Sequence, residues 1–372
     1  MQKSYNSLGL MSGTSGDGVD ASVIFSDGIK KFEVINNRYF EYDSAIYRNI
    51  HALKEKIYEP KDLEKLSKEI ITLERDITIF HAKIIKELRL INKDVIIGFH
   101  GQTIFHYPEL KISKQLGDGK LLYQLTKKKI IYNFRKKDID NGGEGAPLTP
   151  IFHALIAKQK NFKLPACFLN IGGISNVTIV QEHEKDPNLF SRDLGPGNCL
   201  IDSWVRSHSK NKFDKEGQLA SIGKKNDIIL ETAFELYSNR LNQKKKSYDI
   251  NDFDISFARG LSIEDGLATL TNFTANIISD SLKNFINHTN SNIEQIVVCG
   301  GGRKNKFLMK SLKNNLKKNI SIKLIDDYGI DGDFIESQAF AYLAIRCIEK
   351  LPITFPSTTG CANPCLGGEF LG

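Results

Sequence analysis

The sequence contains no run of about 18 apolar residues, the length that a membrane-spanning helix needs. Residues 1–6 are too polar for a signal peptide. Cys361 and Cys365 lie close together, but no second pair with zinc-finger spacing accompanies them among the six cysteines. We therefore expect a cytoplasmic protein with reduced thiols and no membrane contact.

The charge pattern also disfavours one class of partner. The chain carries 51 Lys and Arg against 44 Asp and Glu, a net charge of +7. Its lysine clusters are scattered, and they neither alternate with aromatic residues nor form an arginine-rich tract. This pattern favours a solvated lysine surface over a nucleic-acid interface, and it also suits an anionic substrate. With 372 residues, the chain is long enough for two domains.

The stretch with the clearest chemistry is Gly13–Asp20, which reads Gly-Thr-Ser-Gly-Asp-Gly-Val-Asp. Apolar runs precede and follow it, so the pattern predicts a β-hairpin with this stretch at its tip. Glycines let the backbone approach a ligand closely, and Asp17 and Asp20 are carboxylates that suit Mg2+. The composition fits a polyphosphate with its metal, and an ordinary polar turn is the alternative.

Two further glycine-rich stretches follow predicted strands. Ala166–Val180 repeats the plan of strand, glycine turn and strand about halfway along the chain. Two such hairpins, each opening a domain-sized segment, predict an internally duplicated fold. Gly300–Asn305 follows a predicted strand and precedes a helix, a position where a phosphate or a flat ring can approach the backbone.

Polar candidates lie at the ends of other predicted elements. His100–Thr103 ends a predicted strand, where α/β proteins place their sites. His100 and His106 could share a face, but no third metal ligand is at hand, which favours hydrogen-bonding histidines. A helix is predicted to begin near Pro196, so that Asp193 would serve either as its N-cap or as a base in a site.

Apolar spacing predicts three long helices: Lys61–Leu90, Asp227–Leu241 and Ile263–Ile286. Another helix is predicted over Glu336–Lys350, and capping is the default role for the acidic residues at its start. The tail from Pro356 is predicted to be a loop.

Taken in order, these stretches resemble the anhydro-N-acetylmuramic acid kinases, a family of the actin, sugar kinase and chaperone-ATPase superfamily. The resemblance extends from Leu8 to about Gly367. It rests on these motifs: GLMSGTSGDGVD (Gly9–Asp20), HGQT (His100–Thr103), FRKKD with GGEGAPL (Phe134–Leu148), NIGGISN (Asn170–Asn176), DLGPGN (Asp193–Asn198), CGGG with Asn305, and Glu336 before AFAYLA (Ala339–Ala344). The sequence departs from the usual family pattern at four positions: Gly16, Asn133, Glu144 and Leu194.

The resemblance implies an α/β fold of two ribonuclease-H-like lobes with an interlobe ATP cleft, as in actin-like ATPases. The expected lobes are residues 1–134 with about 351–372, and residues 135–350. ATP and Mg2+ are the expected cofactors, with Asp17 and Asp20 holding the metal directly or through water. The expected partner is a small-molecule sugar, without nucleic acid or membrane, and the sequence leaves a homodimer open.

The resemblance also assigns roles to residues. It implies that Asp193 is the catalytic base. Arg135 suits the lactyl carboxylate of the sugar, because a guanidinium matches a carboxylate with two parallel hydrogen bonds. Glu336 is the candidate for orienting the sugar or the water. His100 and Gln102 are expected on the sugar side. The expected ATP-binding residues come from the three glycine-rich stretches: Gly13, Thr14, Ser15, Gly16, Asp17, Gly18, Val19, Asp20, Gly172, Gly173, Asn176, Gly300, Gly301 and Asn305.

The family's substrate is a 1,6-anhydro sugar from the bacterial cell wall, whose O6 is bonded to C1. The resemblance implies that Asp193 takes a proton from a water that attacks C1, while O6 accepts the γ-phosphoryl group of ATP. The products would be N-acetylmuramic acid 6-phosphate and ADP, as in cell-wall amino sugar recycling. The alternatives are a kinase of another small molecule in the same superfamily and a non-catalytic, actin-like scaffold that depends on nucleotide.

Overall fold

The computed structural model describes residues 3–89, 94–181, 188–241 and 247–372. They form two compact units: the first unit comprises Met1–Gln159 and Asp333–Gly372, and the second unit comprises Lys160–Gly332. Each unit contains a mixed β-sheet with helices, so the predicted α/β class with two lobes is confirmed. The unit boundaries differ from the predicted lobe boundaries, because residues 135–159 and 333–350 belong to the first unit.

The strands, in chain order, are β1 (Tyr5–Ser12), β2 (Gly18–Ser26), β3 (Phe32–Glu41), β4 (Ile96–Tyr107), β5 (Ile112–Leu116), β6 (Lys129–Tyr132), β7 (Ala166–Ile171), β8 (Ile174–Val180), β9 (Leu189–Pro196), β10 (Gln295–Cys299), β11 (Ser321–Leu324) and β12 (Glu369–Leu371). The sheet of the first unit has the order β12-β6-β4-β1-β2-β3, with β5 also paired to β4. The sheet of the second unit has the order β11-β10-β7-β8-β9.

The helices, in chain order, are α1 (Ser44–Lys54), α2 (Pro60–Lys65), α3 (Ser67–Glu87), α4 (Gly119–Thr126), α5 (Lys136–Asp140), α6 (Pro150–Gln159), α7 (Cys199–His208), α8 (Gln218–Ile222), α9 (Asp227–Leu241), α10 (Ile263–His288), α11 (Lys306–Asn315), α12 (Ile335–Ile348) and α13 (Pro356–Thr359). None of the helices in the described parts of the chain has both the length and the apolar character that crossing a membrane requires.

Successive residues of β1 point to opposite faces of the first unit's sheet, and both faces are covered by helices. Leu8 and Leu10 are fully buried and pack with apolar residues of α1 and α3. Gly9 points to the other face, where an added Cβ would collide with the carbonyl oxygen of Ser337 in α12. Gly98 of β4 meets the same helix. The two glycines therefore let α12 approach the sheet closely.

The core of the second unit is built in the same way. Cys167, Leu169 and Ile171 of β7 alternate along one face and pack with apolar residues of α10 and α11. The antiparallel pairs β7–β8 and β8–β9 form the hairpin half of this sheet, whereas β10 lies parallel to β7. A second apolar cluster gathers α7, α8, α9 and α10 around Trp204. The glycine turn at Gly172–Gly173 thus extends from a buried sheet.

Three helix and strand predictions need correction. The single helix predicted over Lys61–Leu90 is two helices, α2 and α3, and Leu90 lies outside the described residues. The strand before His100 continues through it, since β4 runs on to Tyr107. The tail predicted as a loop contains α13 and β12, and β12 pairs antiparallel with β6.

The helix predicted to begin near Pro196 is present but begins later in the chain. Strand β9 includes both Asp193 and Pro196, and α7 begins only at Cys199 with Asn198 as its N-cap. Proline is tolerated in this strand because β9 is the edge of its sheet, where backbone N–H groups need not pair. Asp193 is therefore a strand residue, and the N-cap alternative is excluded.

Candidate active site

The first hairpin loop, Gly13–Asp17, joins β1 to β2, two inner strands of the first unit's sheet. The N–H of Gly16 donates to the carbonyl oxygen of Gly13 at 3.1 Å, which closes a tight turn. Gly16 has φ +63°, and an added Cβ would lie 2.9 Å from Cγ2 of Ile50, so the position favours glycine. Gly16 is one of the departures from the family pattern, and its conformation explains why glycine is accommodated there.

Gln102 supports this loop from behind. Its side-chain Nε2 donates to the carbonyl oxygen of Gly13 at 3.0 Å, and its Oε1 lies 2.6 Å from Oγ of Ser12. The hydroxyl of Tyr42 donates to the same Oγ at 3.1 Å. These three supporting side chains are buried. Gln102, predicted on the sugar side, is thus placed where it shapes the first hairpin loop.

Lys54 is a second buried support that sequence reasoning missed. It lies in the last turn of α1, and its Nζ donates to the carbonyl oxygen of Thr14 at 2.8 Å. Thr14 and Ser15 themselves are exposed. Buried side chains therefore contact one side of the loop, and the tip of the loop is exposed to solvent.

Asp17 and Asp20 share a neighbour, the phenol of Tyr39. Burial raises the pKa of Tyr39, and the negative charges of Asp17, Glu41 and Asp20 raise it further. The Oγ of Ser15 donates to Oδ1 of Asp17 at 2.6 Å. In the part of the chain that the structure describes, no group of three or more metal-binding side chains is present. Two carboxylates are nevertheless what Mg2+ commonly takes from a protein when phosphate oxygens and waters complete its shell, so Asp17 and Asp20 fit that ion.

Arg135 and His100 form a pair in the first unit. The Nη2 and Nε atoms of Arg135 lie 3.0 and 3.3 Å from Nε2 of His100, which accepts from the guanidinium. Nδ1 of His100 donates to the carbonyl oxygen of Gly101 at 2.8 Å. Burial, with the nearby positive charge of Arg135, lowers the pKa of His100 to about 3. The imidazole is therefore neutral near pH 7 and orients the guanidinium.

His100 lies at a register shift between β1 and β4, and the parallel pairing of β4 with β6 brings it near Arg135. Leu10 of β1 pairs with Phe99, and the next residue, Met11, pairs with Gly101, so His100 has no partner on β1. Such shifts re-aim a side chain and are common beside functional sites. The other histidine considered at the sequence level, His106, lies near Oγ of Ser113 at 2.9 Å, so the hydrogen-bonding reading of this pair is the one the structure shows.

The turn after Arg135 is held by the C-terminal segment. Asp138 is buried; its Oδ2 accepts from the N–H of Gly145 at 2.7 Å, and its Oδ1 accepts from Oγ1 of Thr359 at 2.7 Å. The N–H of Glu144 donates to the carbonyl oxygen of Thr359 at 2.9 Å. Arg135 joins the same turn, since its Nη1 donates to the carbonyl oxygen of Gly145 at 2.7 Å.

Glu336 belongs to the same unit as these residues. It is half-buried in the first turn of α12, the helix that packs on β1, β2 and β4. The N-cap of this helix is Phe334, so Glu336 does not occupy the capping position. All four residues predicted on the sugar side, His100, Gln102, Arg135 and Glu336, therefore lie in the first unit.

The second glycine turn, Gly172–Gly173, is held by hydrogen bonds between backbone groups. The carbonyl oxygen of Gly173 accepts from the N–H groups of Gly197 and Cys199 at 2.8 and 3.1 Å. The carbonyl oxygen of Gly172 accepts from the N–H of Asn198 at 2.8 Å. The turn is thus fixed to the segment that leads from β9 into α7.

Asp193 lies beside this turn on β9 and is 6% exposed. Its Oδ2 accepts from the backbone N–H of Tyr248 at 2.8 Å. It pairs in register with Asn176 of β8, and the Oδ1 atom of Asn176 is buried without a hydrogen-bond partner among the described residues. Directly paired strand residues share a face, so the two side chains lie next to each other. Leu194, another departure from the family pattern, points into the core of this unit.

The third glycine stretch is fixed by Arg303. This buried guanidinium binds both carboxylate oxygens of Asp326, at 2.6 and 2.9 Å, and donates to the carbonyl oxygen of Gly300 at 3.0 Å. The bonds from Arg303 lower the pKa of Asp326. Asn305 is the N-cap of α11, so its side chain has a structural partner. An added Cβ at Gly301 would meet nothing within 4 Å, which leaves that part of the backbone accessible.

Comparison with known proteins identifies the family. The family model described as anhydro-N-acetylmuramic acid kinase matches residues 5–371. An anhydro-N-acetylmuramic acid kinase of Pelagibacter ubique (strain HTCC1062) is 55% identical and covers 99% of this chain and 98% of its own length. One of Zymomonas mobilis is 38% identical over 97% of this chain and 98% of its own. The chain belongs to the anhydro-N-acetylmuramic acid kinase family.

Solved structures of other families show only distant likeness to this member of the kinase family. An activator of 2-hydroxyisocaproyl-CoA dehydratase from Clostridium difficile with bound ADPNP is 11% identical, with a TM-score of 0.39, and covers 93% of this chain and 96% of its own. A hexokinase from Schistosoma mansoni complexed with glucose is 10% identical, with a TM-score of 0.38, over 92% of this chain and 85% of its own. At these values neither likeness carries an argument about the present chain.

The family predicted from the ordered motifs is thus confirmed, and with it membership in a group of sugar kinases. The structure brings His100 together with Arg135, Gln102 with Gly13, and Asp193 with Asn176. It adds supports that the sequence did not reveal: Ser12, Tyr42, Lys54 and the backbone of Tyr248. No helix is predicted from the sequence over α1, and Lys54 is therefore missed. The apolar spacing of α1 is the signal that could have pointed to it.

Proposed function

We propose that this protein is an ATP-dependent kinase that opens 1,6-anhydro-N-acetylmuramic acid hydrolytically and phosphorylates its O6. Membership in the anhydro-N-acetylmuramic acid kinase family over residues 5–371 is the observation that carries the proposal. The relatives named above carry that activity in their names and align over nearly their whole length. The cytoplasmic location and a homodimer remain predictions.

In this proposal Asp193 is the general base. The N–H of Tyr248 holds one carboxylate oxygen, which fixes the orientation of the side chain within a buried setting. A positioned base of this kind contributes roughly 10²–10⁴-fold to a rate. Asn176 lies next to it with an unused amide oxygen, so the pair offers both a base and a further hydrogen-bonding group.

The reaction balances around that base. Asp193 removes a proton from water as the water oxygen forms a bond to C1, and the C1–O6 bond breaks. The electron pair on O6 then forms the bond to the γ-phosphorus, and the bond from that phosphorus to the bridging oxygen of ADP breaks. The consumed substrates are the anhydro sugar, water and ATP, and the products are the 6-phosphate, ADP and one proton.

The three glycine stretches are assigned to ATP. We assign the phosphates to the first hairpin loop and to Gly172–Gly173 with Asn176, and the adenosine to Gly300, Gly301 and Asn305. Asp17 and Asp20 would hold Mg2+, which supplies charge neutralisation at the phosphates. Phosphoryl transfer depends chiefly on positioning and electrostatics, and loops that are fixed from behind serve that need.

Arg135 is assigned to the carboxylate of the sugar. Its Nη1 and Nη2 atoms are already directed by Gly145 and His100, so the plane of the guanidinium is set before substrate arrives. A guanidinium recognises a carboxylate with two parallel hydrogen bonds, which gives direction as well as charge. His100 then acts on the sugar through Arg135, and Glu336 is assigned to the sugar or the water.

Product analysis in ¹⁸O-labelled water tests the function. The purified protein is supplied with ATP, Mg2+ and the anhydro sugar, and the product is analysed by mass spectrometry. We expect one ¹⁸O at C1 and the phosphate on O6. A product without ¹⁸O at C1, or faster ATP consumption with ordinary hexoses than with the anhydro sugar, would contradict the proposal and favour a kinase of another small molecule.

A further inference from the structure

Lys54 is an unusual lysine in this chain. It is 8% exposed, and its Nζ donates to a backbone carbonyl, that of Thr14, at 2.8 Å. By contrast, Lys56, two residues later, has a half-exposed side chain paired with Glu69 at 2.9 Å. Burying an ammonium group is costly, so lysines are seldom buried without a fixed partner. The burial of Lys54 thus draws attention to the loop that it touches.

Two successive peptide groups of this loop have their carbonyls held from behind. Gln102 holds the carbonyl of Gly13, and Lys54 holds the carbonyl of Thr14. A trans peptide is planar, with its C=O and N–H pointing in opposite directions. The N–H groups of Thr14 and Ser15 must therefore point away from the two supports.

The outward direction is the exposed side of the loop. Thr14 and Ser15 are both exposed, whereas Gln102 and Lys54 are buried. Neither outward N–H donates to an acceptor within the described parts of the protein. Consecutive N–H groups that face solvent in a tight turn form a concavity that favours anions.

The charge of Lys54 strengthens that preference. A hydrogen bond from an ammonium to a carbonyl is stronger than one between neutral groups, and it polarises the peptide that accepts it. The N–H at the other end of that peptide belongs to Ser15, and it becomes a better donor. Lys54 can therefore favour an anion at the loop tip without touching it.

We propose that Lys54 is a positioning residue for the nucleotide phosphates: it fixes the Gly13–Gly16 turn with the Thr14 and Ser15 N–H groups directed at the phosphates. The inference rests on the proposed function, since it takes this loop as part of the ATP site. Gln102 holds the adjacent peptide, so the two side chains act on the same turn from different elements, α1 and β4.

The test compares Lys54→Met with Lys56→Met. The second variant removes the same charge from the half-exposed side chain of Lys56, two residues further along the chain. It therefore controls for net charge. For each variant the Kd of Mg–ADP is titrated without sugar, the KM values for ATP and for the anhydro sugar are measured, and Tm is recorded without nucleotide. We expect Lys54→Met to raise the ADP Kd and the ATP KM by about tenfold or more, because a hydrogen bond from a charged group is lost.

The other measurements distinguish positioning of the phosphates from a general structural role of Lys54. The sugar KM and the Tm without nucleotide should stay near those of the wild type, Lys54→Arg should recover part of the nucleotide affinity, and Lys56→Met should match the wild type. Unchanged nucleotide affinity in Lys54→Met would overturn the proposal. Parallel losses in nucleotide affinity, sugar KM and Tm would also overturn it.

If Lys54→Met fails to fold, Lys54→Gln keeps a neutral donor and is judged by the same nucleotide affinities. Loss of folding in both variants would assign Lys54 a purely structural role and contradict the proposal. A wild-type protein that binds ADP but leaves the anhydro sugar intact would contradict the proposed function instead, and the ADP titration would still decide the role of Lys54.

Discussion

The two glycine hairpins follow one plan but are supported differently. In the first unit, the carbonyls of Gly13 and Thr14 are held by the side chains of Gln102 and Lys54. In the second unit, the carbonyls of the glycine turn are held by backbone N–H groups of residues 197–199. In both hairpins the protein binds the carbonyl oxygens, so the N–H groups of the same peptides face the other way.

The difference teaches where each loop is vulnerable. A single substitution can remove a side-chain support, so the conformation of the first hairpin loop is open to change by substitutions on α1 or β4. A backbone support is independent of side chains, and it fails only if the segments are pushed apart. Two hairpins of similar sequence plan can therefore differ in how mutation affects them.

Mild acid should destabilise the first unit more than the second unit. Burial lowers the pKa of His81 to about 4 and that of His153 to about 3, and burial with Arg135 lowers the pKa of His100 to about 3. All three belong to the first unit. Unfolded histidines titrate near 6.5, so this contribution to stability is complete above about pH 6.5 and is lost as pH falls toward 3–4. At pH 5.5 the loss reaches about 1.4 kcal/mol for each histidine.

Urea unfolding at pH 7.5 and pH 5.5 measures this loss. Trp204 is the one tryptophan in the sequence and lies in the second unit, so its fluorescence follows that unit. Pulse proteolysis with peptide mapping follows the first unit. We expect the midpoint for the first unit to fall more than the fluorescence midpoint. Equal shifts in the two units would show that the buried histidines do not govern acid stability.

Substituting alanine for glycine tests how the backbone supports the second hairpin, and the expected loss of stability is smaller. An added Cβ at Gly197 would collide with the carbonyl oxygen of Gly172, a backbone atom that cannot rotate away. We expect Gly197→Ala to cost about 2 kcal/mol through overpacking. The matched variant Gly172→Ala meets only the carbonyl oxygen of Ile174, at an ordinary 3.4 Å, and should cost much less. Trp204 fluorescence in urea compares the two; similar losses in both would mean that the close approach is not what holds the turn.

The sequence revealed the elements whose signal is local. The hairpins at Gly13 and Gly172 are flanked by apolar runs and marked by glycines, and the structure has strands in both places. The helix over Asp227–Leu241 and most of α10 were also predicted from apolar spacing. These patterns suffice because a strand or helix with one apolar face has few alternative ways to bury it.

What the sequence hid depends on pairing between distant segments. Pro196 predicted a helix start, but pairing of β9 with β8 extends the strand through it and places Asp193 opposite Asn176. His100 and Arg135 are far apart in sequence, and the parallel pairing of β4 with β6 brings them together. Lys54 looks like any other surface lysine until α1 packs against the sheet. The family motifs include Asp193 and Arg135, and also His100 and Gly145, which direct Arg135. They do not include Tyr248, whose N–H holds Asp193.

The central claim is that Asp193 activates water, whereas the glycine hairpins only hold ATP. Substituting Asp193→Asn tests it most directly, because asparagine keeps an oxygen for the N–H of Tyr248 but has no basic carboxylate. Turnover of the anhydro sugar and the Kd of Mg–ADP are measured for this variant, with Asp254→Asn as an exposed carboxylate control in the same unit. The account predicts a fall in kcat of at least about 10²-fold with ADP affinity nearly unchanged. Near-normal turnover in Asp193→Asn would contradict it.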